Sequence, residues 1–125
     1  MTDAAATKAR RWAVVTYRVV GVAFAVAVTV QIFLAGLAVF TDPVRWQWHT
    51  SFVHAFEGLP LLLLIVALAG RLPARLRWAA GAQLLLIVVQ YATANIGGAV
   101  AALHPVSAMV IFWLAVTSLR WAGRR

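Results

Sequence analysis

Four long apolar stretches, at 19–40, 50–70, 78–98 and 99–119, constrain this chain more than anything else in it. Each has about the ~20 residues that a helix needs to cross a bilayer. A single acid, Glu57, falls inside them. With 64% apolar residues, 11% charged residues and a mean hydropathy of +0.90, the 125-residue chain is expected to be one membrane-embedded domain, 1–125, of all-α class. Helices are expected at about 13–40, 48–70, 77–97 and 99–119. The short links between them imply antiparallel neighbours in an up-and-down four-helix bundle.

The net charge of +8 would otherwise raise nucleic acid as a partner, but the placement of the charges points to a lipid bilayer. Ten of the eleven basic residues lie at the N-terminus (Lys8, Arg10, Arg11, Arg18), in the middle loop (Arg71, Arg75, Arg77) or at the C-terminus (Arg120, Arg124, Arg125). Arg45 alone lies in the first loop, and the Gly97-Gly98 link has none. The positive-inside rule then puts both termini and the middle loop in the cytoplasm, with the protein in a bacterial inner membrane. A cleaved signal peptide is the rival reading of the first stretch. Its apolar run continues for 22 residues through Gln31, longer than the ~7–15 of a signal core, so it is read as a helix. Cysteine is absent, which excludes disulfides, iron–sulfur clusters, thiolate metal sites and covalent haem attachment.

Two tandem two-helix units are also visible. Arg18 precedes Gln31 by 13 positions, and Arg77 precedes Gln90 by 13. Each Gln is followed by a His with a small residue four places on, His54 with Gly58 and His104 with Ala108, and then by an apolar run ending in Arg71 or Arg120. Units of two helices keep the same orientation, so they would be related by a pseudo-twofold axis along the membrane normal, with the second and fourth helices diagonally opposed.

The histidines carry the chemistry. His54 lies 17 positions before Arg71 and His104 lies 16 before Arg120, which suggests equal depth in the second and fourth spans. Imidazole within a membrane is costly enough to imply a partner or a task. Gly58 and Ala108, at i+4, would leave a shelf beside each ring for a flat macrocycle. Ligation of one haem b by His54 and His104 is therefore the leading expectation, against a plain hydrogen-bonded patch between helices. His49 is about 140° around the helix from His54, and it is read with Trp46 and Trp48 as an interfacial belt rather than as a ligand. A zinc or copper site of His49, His54, His104 and Glu57 is the alternative. Glu57 would orient a His, relay protons, or stand as a neutral acid bonded to Gln31, Gln90 or Asn95. Gln31 and Gln90 would bond across the bundle or to a ligand's polar edge. Pro60 and Pro105 fall early in their helices, and Pro105 would kink the chain beside His104. Small residues four apart, Gly21 with Ala25 and Ala23 with Ala27, are spaced to support a homodimer.

The strings Val30-Gln31-Ile32-Phe33-Leu34-Ala35-Gly36-Leu37, His54-x-x-x-Gly58-Leu59-Pro60 and Ala102-Leu103-His104-Pro105-Val106 resemble a small bacterial family of four-helix membrane proteins of unknown function. The resemblance implies the four-helix fold and no activity. In ligation style the chain is similar to membrane b-type cytochromes, which usually carry four His ligands for two haems on opposite sides of the bilayer. Three His, all toward one side, depart from that pattern. The functional expectation is one bis-His haem serving electron transfer or redox sensing, with a quinol or another redox protein as partner. A small-ligand or proton-transport module and a cofactor-free structural subunit are the rivals.

Overall fold

The computed structural model describes residues 3–124, and they form four antiparallel spans in one bundle. Helix α1 (Asp3–Phe40) is followed by a 3₁₀ turn (Pro43–Arg45), α2 (Trp46–Phe52), a second 3₁₀ turn (Val53–Ala55), α3 (Leu59–Ala69), α4 (Ala74–Ile96), a third 3₁₀ turn (Gly98–Ala102) and α5 (Leu103–Gly123). The membrane-length apolar segments are Thr7–Phe40, Pro43–Ala69, Ala74–Ile96 and Gly98–Gly123. Helix α1 packs on α3 and α5, and α4 packs on the same two, so α3 and α5 stand diagonally opposed, as do α1 and α4.

The second span is not one continuous helix. Pro60 at the second position of α3 has no N–H to give the Phe56 carbonyl, which instead accepts from the Leu59 N–H at 2.9 Å. Helical geometry lapses at Phe56, whose φ is −136°, and resumes at Leu59. The fourth span starts differently. Gly97 and Gly98 take φ of +73° and +58°, conformations open to residues without a Cβ, and reverse the chain in two residues. Pro105 then falls in the first turn of α5, where the missing N–H would lack an intrahelical partner anyway. It starts the helix rather than kinking it.

Packing inside and apolarity outside follow from the same periodicity. In α1 the buried face runs Ala13, Tyr17, Phe24 and Val28, while Val15, Val19, Val22 and Val26 face outward. Against that buried face lie Leu63 and Ala67 of α3, Leu76 and Ala80 of α4, and Ile111 and Ala115 of α5. Outward-facing Leu61, Leu62, Leu85, Val88, Met109 and Trp113 give the bundle a surface suited to acyl chains. Exposed Trp12 and Trp78 ring the end where the termini meet the α3–α4 loop, and exposed Trp46 and Trp48 ring the other, as interfacial aromatics do. The Arg45 guanidinium lies 4.8 Å from the Trp48 ring centroid. At the basic end the Arg75 guanidinium donates to the Trp121 carbonyl at 3.3 Å and ties the middle loop to α5.

Gly70, which caps α3, packs so closely on α1 that an added Cβ would stand 2.1 Å from the Ala13 Cβ. Gly70→Ala is expected to force α1 and α3 apart and cost about 1–3 kcal/mol, as overpacking does. Gly81, a helical residue, has nothing within 4 Å of an added Cβ, so Gly81→Ala should be neutral or slightly stabilising. Thermal unfolding in detergent checks the contrast. Equal melting temperatures for the two variants would contradict the packing described.

Candidate functional site

Polar side chains gather at the end of the bundle away from the basic loops, and they form two separate groups. The first is built twice by the same bonds. Gln31 of α1 donates its Nε2 to the His49 carbonyl at 2.9 Å, while the His49 Nδ1 lies 3.0 Å from the Gln31 carbonyl. Gln90 of α4 donates its Nε2 to the His104 carbonyl at 3.1 Å, and the His104 Nδ1 lies 3.0 Å from the Gln90 carbonyl. A carbonyl only accepts, so each ring carries its proton on Nδ1 and leaves Nε2 as the free nitrogen. The Thr93 hydroxyl, bonded to the Val89 carbonyl at 2.8 Å, sits 3.3 Å from the His104 Nδ1 and helps fix that ring.

The two rings meet. His49 and His104 have centroids 6.2 Å apart and planes inclined by 61°. Trp46 closes the far side of His49 edge-on, with its centroid 5.4 Å away. Both glutamines present a buried Oε1 with no hydrogen-bond partner, so two further acceptors are left over in the site.

The ring that packs on His104 is therefore that of His49, and not that of His54. His49 and His54 do point in different directions, as about five residues of helix require, but His49 turns inward and His54 outward. Counting back from Arg71 assumed unbroken helix, and the break between Phe56 and Gly58 invalidates both depth and azimuth across it. Gly58 does leave open space, with nothing within 4 Å of an added Cβ, yet that space adjoins exposed His54 rather than the His49–His104 pair. Ala108, one turn beyond His104, is half-buried.

His54 belongs to the second group. Its Nδ1 lies 3.2 Å from the Glu57 Oε1, and its ring stacks with that of Tyr91, centroids 6.5 Å apart. Tyr91 donates its hydroxyl to the Glu57 Oε2, and its oxygen lies 3.4 Å from the His54 Nδ1. Glu57 thus pairs with His54 and Tyr91 rather than with Gln31, Gln90 or Asn95; Asn95 donates instead to the Tyr91 carbonyl at 2.7 Å. No cluster of three or more His, Asp and Glu that could hold a metal ion occurs among the described residues, so the set of three histidines and Glu57 is not assembled. Tyr91 and Thr93 went unnoticed in the sequence, although Tyr91 directly follows Gln90 and is one of two tyrosines. Gln83, fully buried in mid-span with both amide atoms unpaired, was also missed.

Fold and site together define a four-span membrane bundle with a duplicated Gln–His pair at one end. The chain belongs to the family of unknown function DUF6220, which it matches over residues 31–99. That segment runs from Gln31 through His49, His54, Glu57, Gln90 and Tyr91, and His104 lies beyond it. The chain matches no curated protein and no solved structure.

The bond pattern makes a spectroscopic prediction. In protein with ¹⁵N-labelled histidine, the His49 and His104 rings should each carry a proton on Nδ1. Long-range ¹H–¹⁵N correlation reads this directly. An unprotonated Nδ1 on either ring would rule out the reciprocal bonding to the Gln carbonyls.

Proposed function

We propose that His49 and His104 hold the iron of one b-type haem in the half of the bilayer farther from the basic loops, and that the protein serves electron transfer or redox sensing. The observation that carries this is the spacing of two rings whose Nδ1 atoms are both committed to backbone carbonyls. Axial Fe–N bonds of about 2.0–2.1 Å plus about 1.1 Å from each nitrogen to its ring centre put the centroids of two axial imidazoles about 6.3 Å apart. His49 and His104 stand at 6.2 Å. A bare zinc or copper ion needs three or four protein donors, whereas haem supplies four nitrogens of its own and needs two.

The surrounding residues fit that task. Donation of Nδ1–H to a carbonyl selects the tautomer, orients the ring and raises the basicity of Nε2. Gln31 and Gln90 close each ligand's position from the other direction by gripping its backbone carbonyl. Their unpaired Oε1 atoms suit ordered water or a donor group of a guest between the two halves. The haem supplies reversible one-electron chemistry; the chain supplies geometry and polarity. Orientation follows from the basic residues: both termini and the 71–77 loop cytoplasmic, Arg45 and Gly97-Gly98 outside, in a bacterial inner membrane.

The reduced, detergent-purified protein is expected to show the Soret and α/β bands of six-coordinate low-spin haem. His49→Ala and His104→Ala should each abolish them, and His54→Ala should leave them in place. Imidazole added to His49→Gly should restore the low-spin bands, which a merely structural role for His49 would not produce. A folded wild-type protein that stays colourless when expressed with added haem would overturn the reading in favour of a small polar ligand held by Gln31 and Gln90. Orientation is read separately. A cysteine at position 45 should react with an impermeant maleimide in intact spheroplasts, and labelling only after permeabilisation would reverse the topology.

A further inference from the structure

Tyr91 is the residue after Gln90, and His54 lies five residues after His49, so the outward-facing His54–Glu57–Tyr91 group sits beside the inward-facing ring pair. Its side chains face out of the bundle: His54 is 64% exposed and Glu57 is 36% exposed. Ionisable groups facing lipid without a task are costly, and this set is drawn together from two spans by its own hydrogen bonds. Glu57 accepts from both neighbours, while the His54 Nε2 has no partner among the described residues. Gly58 next to them leaves open space where any larger residue would place side-chain atoms. Exposed Leu61 and Leu62, one turn further along, supply an apolar wall.

We propose that this group is the docking site of a lipid-soluble hydroquinone, which reduces the haem assigned to His49 and His104; the proposal rests on that haem reading. The match is chemical. A hydroquinone is a flat ring with an apolar tail and hydroxyls whose protons must be accepted as electrons leave. The His54 Nε2 is a free acceptor, the Glu57 carboxylate is a second one once the Tyr91 hydroxyl yields, and the bare surface at Gly58 lets a ring approach from the lipid side. An aliphatic alcohol would need neither two acceptors nor a flat approach. The step balances without a further reagent: one hydroquinone loses two O–H protons and two electrons and becomes quinone. Two copies of the ferric protein take one electron each and become ferrous. One proton passes to the His54 Nε2 and the other to Glu57, and both leave to the near aqueous face.

Two measurements separate this site from the haem itself. Wild-type protein in lipid nanodiscs, mixed anaerobically with a short-chain hydroquinone, should show haem reduction at a rate that saturates with hydroquinone. Glu57→Gln, His54→Ala and Gly58→Leu should each lower that rate at least tenfold while dithionite still yields the full reduced spectrum. Unchanged rates in all three variants would overturn the proposal. The second measurement needs no haem: an azidoquinone photolabel should attach within residues 54–62 or next to Tyr91, be competed by unlabelled quinone, and be lost in Gly58→Leu. Labelling at those positions in a protein that binds no haem would support docking while refuting electron delivery and the haem reading. Labelling elsewhere, or equal labelling of Gly58→Leu, would refute the docking site whatever the haem content.

Discussion

Little water competes for hydrogen bonds inside a bilayer, so a polar group carried into it is stabilised by a partner within the chain. That constraint shapes this protein more than its apolar content does. The Gln31 and Gln90 amides and the Nδ1 atoms of His49 and His104 solve it in pairs, each side chain reaching the other's backbone carbonyl. Such reciprocal bonds hold α2 to α1 and the start of α5 to α4 at defined register, which apolar contact alone would leave free to slide. The rings are fixed as a consequence, each with Nδ1 committed to a carbonyl and Nε2 left free.

Much of the fold was legible because it depends on run length and charge. Four apolar stretches of bilayer length, short links and basic clusters at alternate loops lead to an up-and-down bundle, and the structure is that bundle. The polar end was legible in its membership but not in its pairing. Gln31, Gln90, His104 and Glu57 stand out in any reading of the sequence, since each is polar in an apolar run. Which histidine meets His104 turns on the break at Phe56, and a Pro at the second position of α3 signals that a helix begins there without saying where the previous one stopped. A small azimuthal error then exchanges an inward ring for an outward one. Tyr91 was obscured for another reason: aromatic residues are common in spans, and only the partner in three dimensions marks this one.

The inversion separates two kinds of chemistry by helix face. His49, turned inward, is protected by Trp46 and faces another histidine; His54, turned outward, meets an acid and a phenol at the lipid surface. Only five positions of chain separate the two histidines, and they are too differently oriented for one side chain to serve both groups.

The duplication explains why the same Gln–His bonding occurs twice. Arg18 with Arg77 and Gln31 with Gln90 differ by the same 59 positions, and that offset also pairs Tyr17 with Leu76 and Phe24 with Gln83. Tyr17 donates its hydroxyl to the Leu76 carbonyl at 3.2 Å across the diagonal of the bundle. Matched positions that touch each other must lie close to the axis relating the two halves. Phe24 and Gln83 are both fully buried, as positions facing that axis should be. In mid-span the two copies have diverged in chemistry, aromatic in one and amide in the other, while at the polar end both keep Gln and His. A twofold axis gives any guest on it two equivalent sets of groups, one from each half, and the haem proposed for this site would draw its two axial ligands from such a pair.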